Sequence, residues 1–533
     1  MNTARQRFPI AIGLFVAVAF TGCATYTDDT AAAREAERTG DLGVAVEERY
    51  ELLVDNEQSD RDRLLYLMEL SKTLRDFGIA RFDQGVQTVN PEFSGVGQGE
   101  SAPPLSLAPT ANYRDILEAS NQILDRVDKG IEYWEMQPAV SLSEQSGSVV
   151  WNPTRLSYRG YNYDRIMAYT YLALNYMMLG EKENAGAMLR RANRAQRISL
   201  ERYAEELEQA REESQKYANR GNQSYDTERA QNDPRFQQGY QTHYGMLDRY
   251  QAYGDLTNPF TVWLQGIFFT YTSGDMDELQ SGLKFLERAY GMSEAKEQIR
   301  PDMEAVRAVL GGRQPEFDLD APGVVFVVFE TGSAPERKEI KIDIPLFLVT
   351  DSVSHVGVAF PKLEFDGNYS KRLRVTSGST REKAELVADM DRVVAEEFKY
   401  NLPAVITRTL ISAGIKAAME YAASQATSGN EYVDLFRKVA FTAYGAVSNR
   451  ADLRSWGSLP KQFHLARVPT PADGRLTLET DTRSVTMEIL DPTGAVVVYV
   501  RSGSAQSPLF AAQFSLTADQ PLTTTAFYDW NTQ

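Results

Sequence analysis

The side chains that carry most enzyme chemistry are scarce in this sequence of 533 residues, which has one cysteine and three histidines. None of the histidines has a second histidine or a cysteine at the spacing of a zinc or iron ligand, so we expect no metal site and no cofactor. A Gly-x-Ser-x-Gly nucleophile elbow is also missing from the sequence. A Ser-His-Asp triad on His355 or His464 stays open, because triads assemble in space. The alternative for each histidine, including His243, is a structural role.

Closely spaced carboxylates are the other candidates for chemistry. They occur as the pairs Asp275/Asp277, Asp318/Asp320 and Asp389/Asp391. Paired carboxylates can act as acid and base on glycans or bind calcium, but none of these has the EF-hand spacing. The alternative is a solvated acidic turn. The glycines of 95–99 follow no predicted strand and lack the lysine of a P-loop, so we interpret them as linker. We therefore predict a protein that is not an enzyme.

The single cysteine, Cys23, follows a secretory signal pattern. Arg5 and Arg7 precede an apolar run from Phe8 to Phe20, and such a basic start and apolar core are typical of a signal peptide, here 1–22. The run is shorter than the ~20 apolar residues that a membrane-spanning helix needs. An ordinary signal peptide with a cysteine near the cut is one interpretation, and lipidation of the cysteine is the other.

The segment Phe20-Thr21-Gly22-Cys23 resembles the bacterial lipobox, although Phe20 replaces the usual leucine. In that motif the cysteine receives a diacylglycerol thioether and becomes the first residue of the mature protein. Lipidation would explain the lone thiol of an exported chain, and two or three acyl chains suffice for a stable membrane anchor. Ala24 follows the cysteine where inner-membrane lipoproteins carry aspartate. The resemblance thus implies a palmitate-labelled lipoprotein on the periplasmic face of the outer membrane.

The charge of the chain restricts its partners. Removal of residues 1–22 removes two basic residues and no acidic ones, which leaves 54 basic and 73 acidic residues. A surface this acidic repels nucleic acid and anionic lipid head groups. We therefore expect no nucleic-acid partner, and a membrane contact made only through the anchor at Cys23.

Helical periodicity dominates the first half of the chain. We interpret 23–45 as a lipidated tether and 46–314 as a helical domain, with helices predicted at 61–84 and 113–135. Glycine and proline predict loops at 90–111 and 138–160.

One segment of this half has the spacing of a tetratricopeptide repeat (TPR). Its key positions are Tyr169, Leu172, Ala173, Tyr176, Gly180, Ala185, Leu189 and Ala192. A weaker second copy begins at Trp263 and continues through Gly266, Gly282, Leu286 and Ala289. Two bare helical hairpins are the alternative. Between them, 185–218 predicts a polar helix with either a coiled-coil seam or a thin amphipathic stripe.

The C-terminal half, 315–533, predicts strands on both sides of a helical segment at about 381–445. β-branched and apolar runs predict strands at 323–329, 339–347, 353–360, 463–468, 475–480, 485–490, 496–500, 512–516 and 523–528. Helices are predicted at 381–398, 403–423 and 432–444. The fold class is therefore predicted as multidomain α+β, with a TPR-like helical domain before a strand-rich α+β domain.

Aromatic side chains in the helical half suggest a binding groove. The candidate residues are Tyr169, Tyr176, Tyr240, Tyr244, Tyr250 and Trp263. Such side chains can line a groove for an extended peptide or a glycan strand. Packing between helices is the alternative.

Three stretches resemble an uncharacterised family of bacterial TPR-containing outer-membrane lipoproteins. They are the hairpin 163–196 with Tyr171-Leu172-Ala173-Leu174-Asn175-Tyr176, the segment 325–332 ending in Phe329-Glu330-Thr331-Gly332, and Ala451-Asp452-Leu453-Arg454-Ser455-Trp456 with Leu459-Pro460. The resemblance implies an architecture and a location without an assigned chemistry. Genes of the family often neighbour those of lipoprotein activators of penicillin-binding proteins, which implies a link to peptidoglycan assembly.

These observations favour a non-enzymatic scaffold for protein–protein interaction in the cell envelope, with a protein partner. Stacked helical hairpins commonly present a concave surface to such partners. Two alternatives stay open: an envelope enzyme that acts on peptidoglycan or another glycan through acidic residues, and a structural subunit of a surface or secretion assembly.

Overall fold

The computed structural model describes residues 26–518, with gaps at 57–58, 83–111, 138–155, 219–226, 252, 255, 314–322, 347–353 and 426–449, and also residues 521–522. Helices make up the N-terminal half and strands predominate in the C-terminal half, so the predicted α+β class is confirmed. None of the described helices is both long and apolar enough to cross a membrane. Cys23, Asp318/Asp320 and the predicted elements 90–111, 432–444 and 523–528 lie outside the described residues.

The described α-helices include both helices predicted before the first hairpin. In chain order they are α1 Tyr26–Asp29, α2 Ala31–Thr39, α3 Leu42–Asp55, α4 Arg63–Ala80, α5 Tyr113–Glu135, α6 Asn162–Met178, α7 Lys182–Ala218, α8 Thr227–Gln231, α9 Pro234–Tyr244, α10 Pro259–Tyr271, α11 Met276–Met292, α12 Lys296–Leu310 and α13 Met390–Gln425. A 3-10 helix, Gly245–Arg249, follows α9.

The tether predicted over 23–45 is wrong from residue 26 onward, because α1, α2 and the start of α3 pack against the rest of the protein. Thr30, Ala33 and Ala45 are buried. The alanines that made the segment look like a linker are small enough for close helix packing. The folded part of the chain thus begins within a few residues of Cys23.

Both predicted hairpins exist, as α6–α7 and α10–α11, whereas the tandem TPR repeat stays a prediction. Gly180 ends α6 with a left-handed φ of +78°, which supports its predicted role in the turn. A Cβ on Gly282 would lie 2.6 Å from Thr270 Oγ1 and 3.0 Å from the Thr270 backbone nitrogen, so glycine allows α10 and α11 to approach closely. The first hairpin differs from a repeat because α7 continues for 37 residues.

The strands form two sheets and one hairpin. They are β1 Val324–Thr331, β2 Glu336–Leu346, β3 Ser354–Glu364, β4 Arg374–Ser377, β5 Thr380–Lys383, β6 Glu385–Asp389, β7 Gln462–Pro469, β8 Arg475–Glu479, β9 Ser484–Glu488, β10 Ala495–Ser502 and β11 Phe510–Ser515. One sheet has the order β11-β10-β1-β7-β6 and the other β5-β4-β8-β9, while β2 pairs with β3. The β1–β10 pair is parallel and the other pairs are antiparallel.

Residues 324–329 of strand β1 are all apolar, and both faces of the strand are buried. Val325, Val327 and Phe329 pack toward the four-stranded sheet. Phe326 and Val328 belong to the core shared with the helices, where Phe326 meets the Trp263 ring at 6.0 Å between centroids. A strand covered on both faces reads as a continuous hydrophobic run, which explains why this strand is predictable from sequence.

The helix predicted over 381–398 is wrong in its first half. Residues 380–383 and 385–389 form β5 and β6, and the helix begins only at Met390. Glu, Lys and Ala favour helix intrinsically, but pairing of β6 with β7 outweighs that preference. The second predicted helix is not separate, because α13 continues through Pro403. Leu402 and Ala404 on either side of it are buried, so tertiary packing offsets the lost backbone hydrogen bond.

A buried ion cluster joins the helical half to the five-stranded sheet. The Lys72 ammonium on α4 lies 2.6 Å from Asp76 and 2.8 Å from Glu330 on β1. The Arg501 guanidinium on β10 lies 2.5 Å from both carboxylates, and Tyr499 donates a hydrogen bond to Glu330. All four charged side chains are at most 4% exposed. Arg75, also buried, lies 3.9 Å from Asp76. The group is sealed from solvent, so we interpret it as structural.

A second cluster fixes the N-terminal helices against the segment before β7. The Glu69 carboxylate on α4 pairs with Arg49 at 3.1 Å. It also accepts hydrogen bonds from the backbone nitrogens of Gly457 and Ser458, at 2.7 and 3.1 Å, and from Tyr26 at 2.8 Å. Residues from α1, α3, α4 and 456–458 are thereby held together.

Candidate functional site

A cavity of about 190 Å³ lies where the first turn of α6 meets β2, β3 and α13. The segment 156–162, one face of α7 and residues 450–454 complete its walls. It is therefore built by both halves of the chain.

The cavity walls are rich in arginine. Six arginines line it, against the two carboxylates of Glu206 and Asp452: Arg159, Arg165, Arg337, Arg408, Arg450 and Arg454. The whole chain has a formal net charge of −17. The net charge of the lining residues is thus positive, opposite in sign to the net charge of the whole protein.

Several of these arginines hold the walls together. Arg454 lies 2.7 Å from Asp452 and 2.9 Å from Asp62 on α4. Burial raises the pKa of the Asp452 carboxyl, but the Arg454 guanidinium lowers it by more. The pKa of Asp452 therefore lies below its ordinary value. Arg408 on α13 pairs with Glu213 on α7 at 3.4 Å. These pairs position the cavity walls, and Arg454 keeps Asp452 ionised.

Arg337 on β2 contacts aromatic rings rather than carboxylates. Its side chain stacks over the Tyr161 ring at 4.0 Å and lies 5.3 Å from the Phe398 ring. The residue is only 3% exposed, and its Nε is buried without a hydrogen-bond acceptor among the described residues. No carboxylate in the described part of the chain forms an ion pair with it.

Asn162, the first residue of α6, supplies a second unsatisfied donor. Its Nδ2 is buried and has no acceptor among the described residues. The backbone nitrogens of Asn162 and Tyr163 donate to the Glu397 carboxylate at 2.5 and 3.0 Å, and Tyr203 also donates to Glu397. These hydrogen bonds fix the backbone of Asn162, whose side chain belongs to the cavity wall.

A capping box completes the start of α6. The Asp164 carboxylate accepts hydrogen bonds from the Tyr161 backbone nitrogen at 2.8 Å and from Tyr158 Oη at 2.5 Å. Burial raises the pKa of Asp164 to about 7 and also raises that of Glu397. These contacts set the position of the Tyr161 ring that supports Arg337.

The residues predicted for an aromatic groove lie elsewhere and do not form one surface. Trp263, Tyr244 and Tyr169 are 1%, 4% and 7% exposed, which corresponds to the packing alternative rather than to a groove. Their partly buried companions are Tyr176, Tyr240 and Tyr250.

The tyrosines near β3 support the structure around the cavity. Tyr240 and Tyr244 pack at 5.1 Å between ring centroids, and Tyr250 stacks on Phe365 at 4.4 Å. Tyr244 Oη donates to the carbonyl of Pro361, a residue of the cavity wall, at 2.8 Å.

The other candidates for chemistry have structural surroundings. Asp275 accepts hydrogen bonds from the backbone nitrogens of Asp277 and Glu278 at the start of α11. Asp391 forms an ion pair with Lys461, and burial raises the pKa of Asp391 to about 7. Burial lowers the pKa of His464 to about 4, so it is neutral at physiological pH. No cluster of metal-ligating side chains occurs among the described residues.

Sequence reasoning missed both Arg337 and Asn162. Arg337 belongs to a strand of alternating charge and Asn162 precedes the first hairpin, and neither stands in a motif. Comparison of the chain with protein-family models, curated proteins and solved structures found no match.

Proposed function

We propose that the protein is a non-enzymatic scaffold of the cell envelope, anchored through Cys23 to the periplasmic face of the outer membrane, that binds an anionic group of its partner in the arginine-lined cavity. The observation that carries this proposal is that two residues of the cavity wall, Arg337 and Asn162, each hold a buried donor, Nε and Nδ2, that has no acceptor among the described residues.

The energetics favour an anionic ligand. A buried cation without a partner is strongly unfavourable, and a buried donor without an acceptor costs about 1–3 kcal/mol. An anion at the wall would satisfy Arg337 and Asn162 together. Because the aromatic rings already position the Arg337 side chain and the Glu397 contacts fix the Asn162 backbone, little ordering is needed on binding.

The lining suits the binding of an anion, because its two carboxylates, Glu206 and Asp452, lie among six arginines. Its described residues include no histidine, cysteine or lysine. The link to peptidoglycan assembly stays a prediction of the family resemblance.

Site-specific photo-cross-linking in intact cells tests the scaffold. A photoreactive residue at Ser157, a half-buried residue of the lining, should yield a discrete partner adduct. Arg337→Gln should reduce that adduct at least fivefold, whereas Arg374→Gln, at a surface pair with Glu479, should leave it unchanged. The same photoreactive residue at Glu208, which is exposed on α7 outside the cavity lining, is the reference position for cross-linking that does not depend on the cavity. An adduct at Ser157 that persists in Arg337→Gln would refute partner binding through the cavity.

The anchor has its own test. Cys23→Ala should abolish metabolic palmitate labelling, because the only thiol of the chain is removed. The variant protein should then leave the outer-membrane fraction. Labelling that persists would show that Cys23 is not the acylated residue.

A further inference from the structure

We infer that the anion is a carboxylate on a short apolar stem, and this inference rests on the proposed anion-binding function. The recognising groups are the Arg337 guanidinium and the Asn162 amide, and the stem would lie against the apolar part of the cavity wall.

The shape of the donors suits a carboxylate. A guanidinium is a rigid planar fork whose N–H groups match the two oxygens of a planar carboxylate. Arg337 Cζ lies over the Tyr161 ring, 4.0 Å from its centroid, so the guanidinium is positioned before a ligand arrives. The amide of Asn162 adds one neutral donor, which suits a single negative charge.

The charges around the cavity disfavour a dianion. Asp452 and Glu206 belong to the lining, and Arg454 keeps Asp452 ionised by lowering the pKa of its carboxyl. Arg454 is itself paired with Asp452 and Asp62. Arg337 therefore offers the ligand one positive charge that has no ion-pair partner among the described residues. A carboxylate matches this single charge better than a phosphate group, which carries nearly two charges at neutral pH.

The apolar residues of the cavity wall indicate the kind of stem that the ligand would carry. Ala359, Pro361 and Val405 contribute apolar surface to the cavity. A volume of about 190 Å³ is smaller than the ~300 Å³ of typical drug-binding pockets. The cavity therefore suits one branched aliphatic group beside the carboxylate. A small organic acid and the terminal residue of a peptide share this chemistry.

Calorimetric titration of the mature chain lacking the acyl group tests the inference. The probes are 4-methylpentanoate, N-acetyl-alanyl-leucine, the amides of both acids, and inorganic phosphate. We expect at least one acid to bind, and its amide to bind at least tenfold more weakly. Preference for 4-methylpentanoate would identify a small acid as the source, and preference for the dipeptide would identify a peptide terminus. Both outcomes support a carboxylate site.

Variants locate the binding. Arg337→Gln should weaken the acid at least tenfold, and Arg374→Gln should leave its affinity unchanged. The comparison of acid with amide on the unsubstituted protein needs no variant, so it decides the question even if Arg337→Gln unfolds. Phosphate binding that exceeds acid binding and is lost in Arg337→Gln would overturn the carboxylate inference and leave the anion-binding function standing. Equal binding of acid and amide would overturn the inference, and no binding of any probe would overturn both.

Discussion

Replacing Glu330 with glutamine should lower the free energy of unfolding by about 3–5 kcal/mol. Glu330 is fully buried and forms ion pairs with Lys72 at 2.8 Å and with Arg501 at 2.5 Å. The substitution keeps the shape of the side chain but leaves these two cations with Asp76 as their shared carboxylate. A buried excess positive charge is unfavourable in a medium that water cannot reach. Urea unfolding followed by circular dichroism measures the loss.

A surface carboxylate provides the matched control. Glu479 lies 4.0 Å from Arg374, and both side chains are well exposed, so Glu479→Gln should change the free energy of unfolding by less than about 1 kcal/mol. Equal effects of the two substitutions would show that the buried cluster contributes no more than a surface pair.

The response to acid should distinguish the lost charge from lost packing. Burial alone would raise the pKa of Glu330, but Lys72 and Arg501 outweigh it and lower the pKa to about 2. A carboxyl whose pKa falls on folding stabilises the protein above its ordinary value of 4.5, and this stabilisation disappears as the pH falls toward 2. The difference between wild type and Glu330→Gln should therefore be largest near pH 7 and shrink below pH 4.5. A difference that stays constant with pH would indicate packing alone.

The sequence predicts those elements whose burial follows a simple period. Strand β1 is a continuous apolar run because sheets and helices cover both faces, and α5, Tyr113–Glu135, buries one regular stripe. Strands β5 and β6 could not be predicted, because their residues favour helix and only pairing of β5 with β4 and of β6 with β7 makes them extended. The packed start of the chain was missed because alanine-rich segments suit both linkers and tight helix contacts.

The cavity was beyond sequence reasoning for a different reason. Arg337 and Asn162 lie 175 positions apart in the sequence, and charged strands usually face solvent. Arg337 is buried only because the Tyr161 ring and α13 cover β2. Such a site depends on tertiary packing, which leaves no local pattern.

The three stretches that carried the family resemblance meet at one buried seam. The Tyr171 ring on α6 lies 6.0 Å from the ring of Trp456. The Arg75 guanidinium lies 5.2 Å from Tyr171 and 4.2 Å from Tyr499, and Tyr499 bonds to Glu330. All three stretches therefore contribute residues to the contact between the helical and strand-rich halves. This contact also shapes the cavity, because Arg454 belongs to the same segment as Trp456.

Replacing Arg454 with alanine should therefore be nearly as damaging as replacing Glu330. Its guanidinium contacts Asp452 at 2.7 Å and Asp62 at 2.9 Å, and it donates to the carbonyl of Leu156 at 2.7 Å. Asp62 is 3% exposed, so its charge would stay buried after the substitution, with the half-exposed Arg61 as its remaining ion-pair partner among the described residues. We expect a loss of about 3–5 kcal/mol in the free energy of unfolding, measured by urea unfolding.

Arg454→Lys should recover only part of this loss, because an ammonium lacks the planar fork that reaches two carboxylates and a carbonyl at once. Arg374→Ala, at the exposed pair with Glu479, is the control and should cost less than about 1 kcal/mol. A double-mutant cycle with Asp62→Asn tests the cause. If the buried charge of Asp62 is what makes Arg454→Ala damaging, the double variant should be more stable than the sum of the single losses predicts. Strict additivity would instead assign the loss to packing of the arginine side chain.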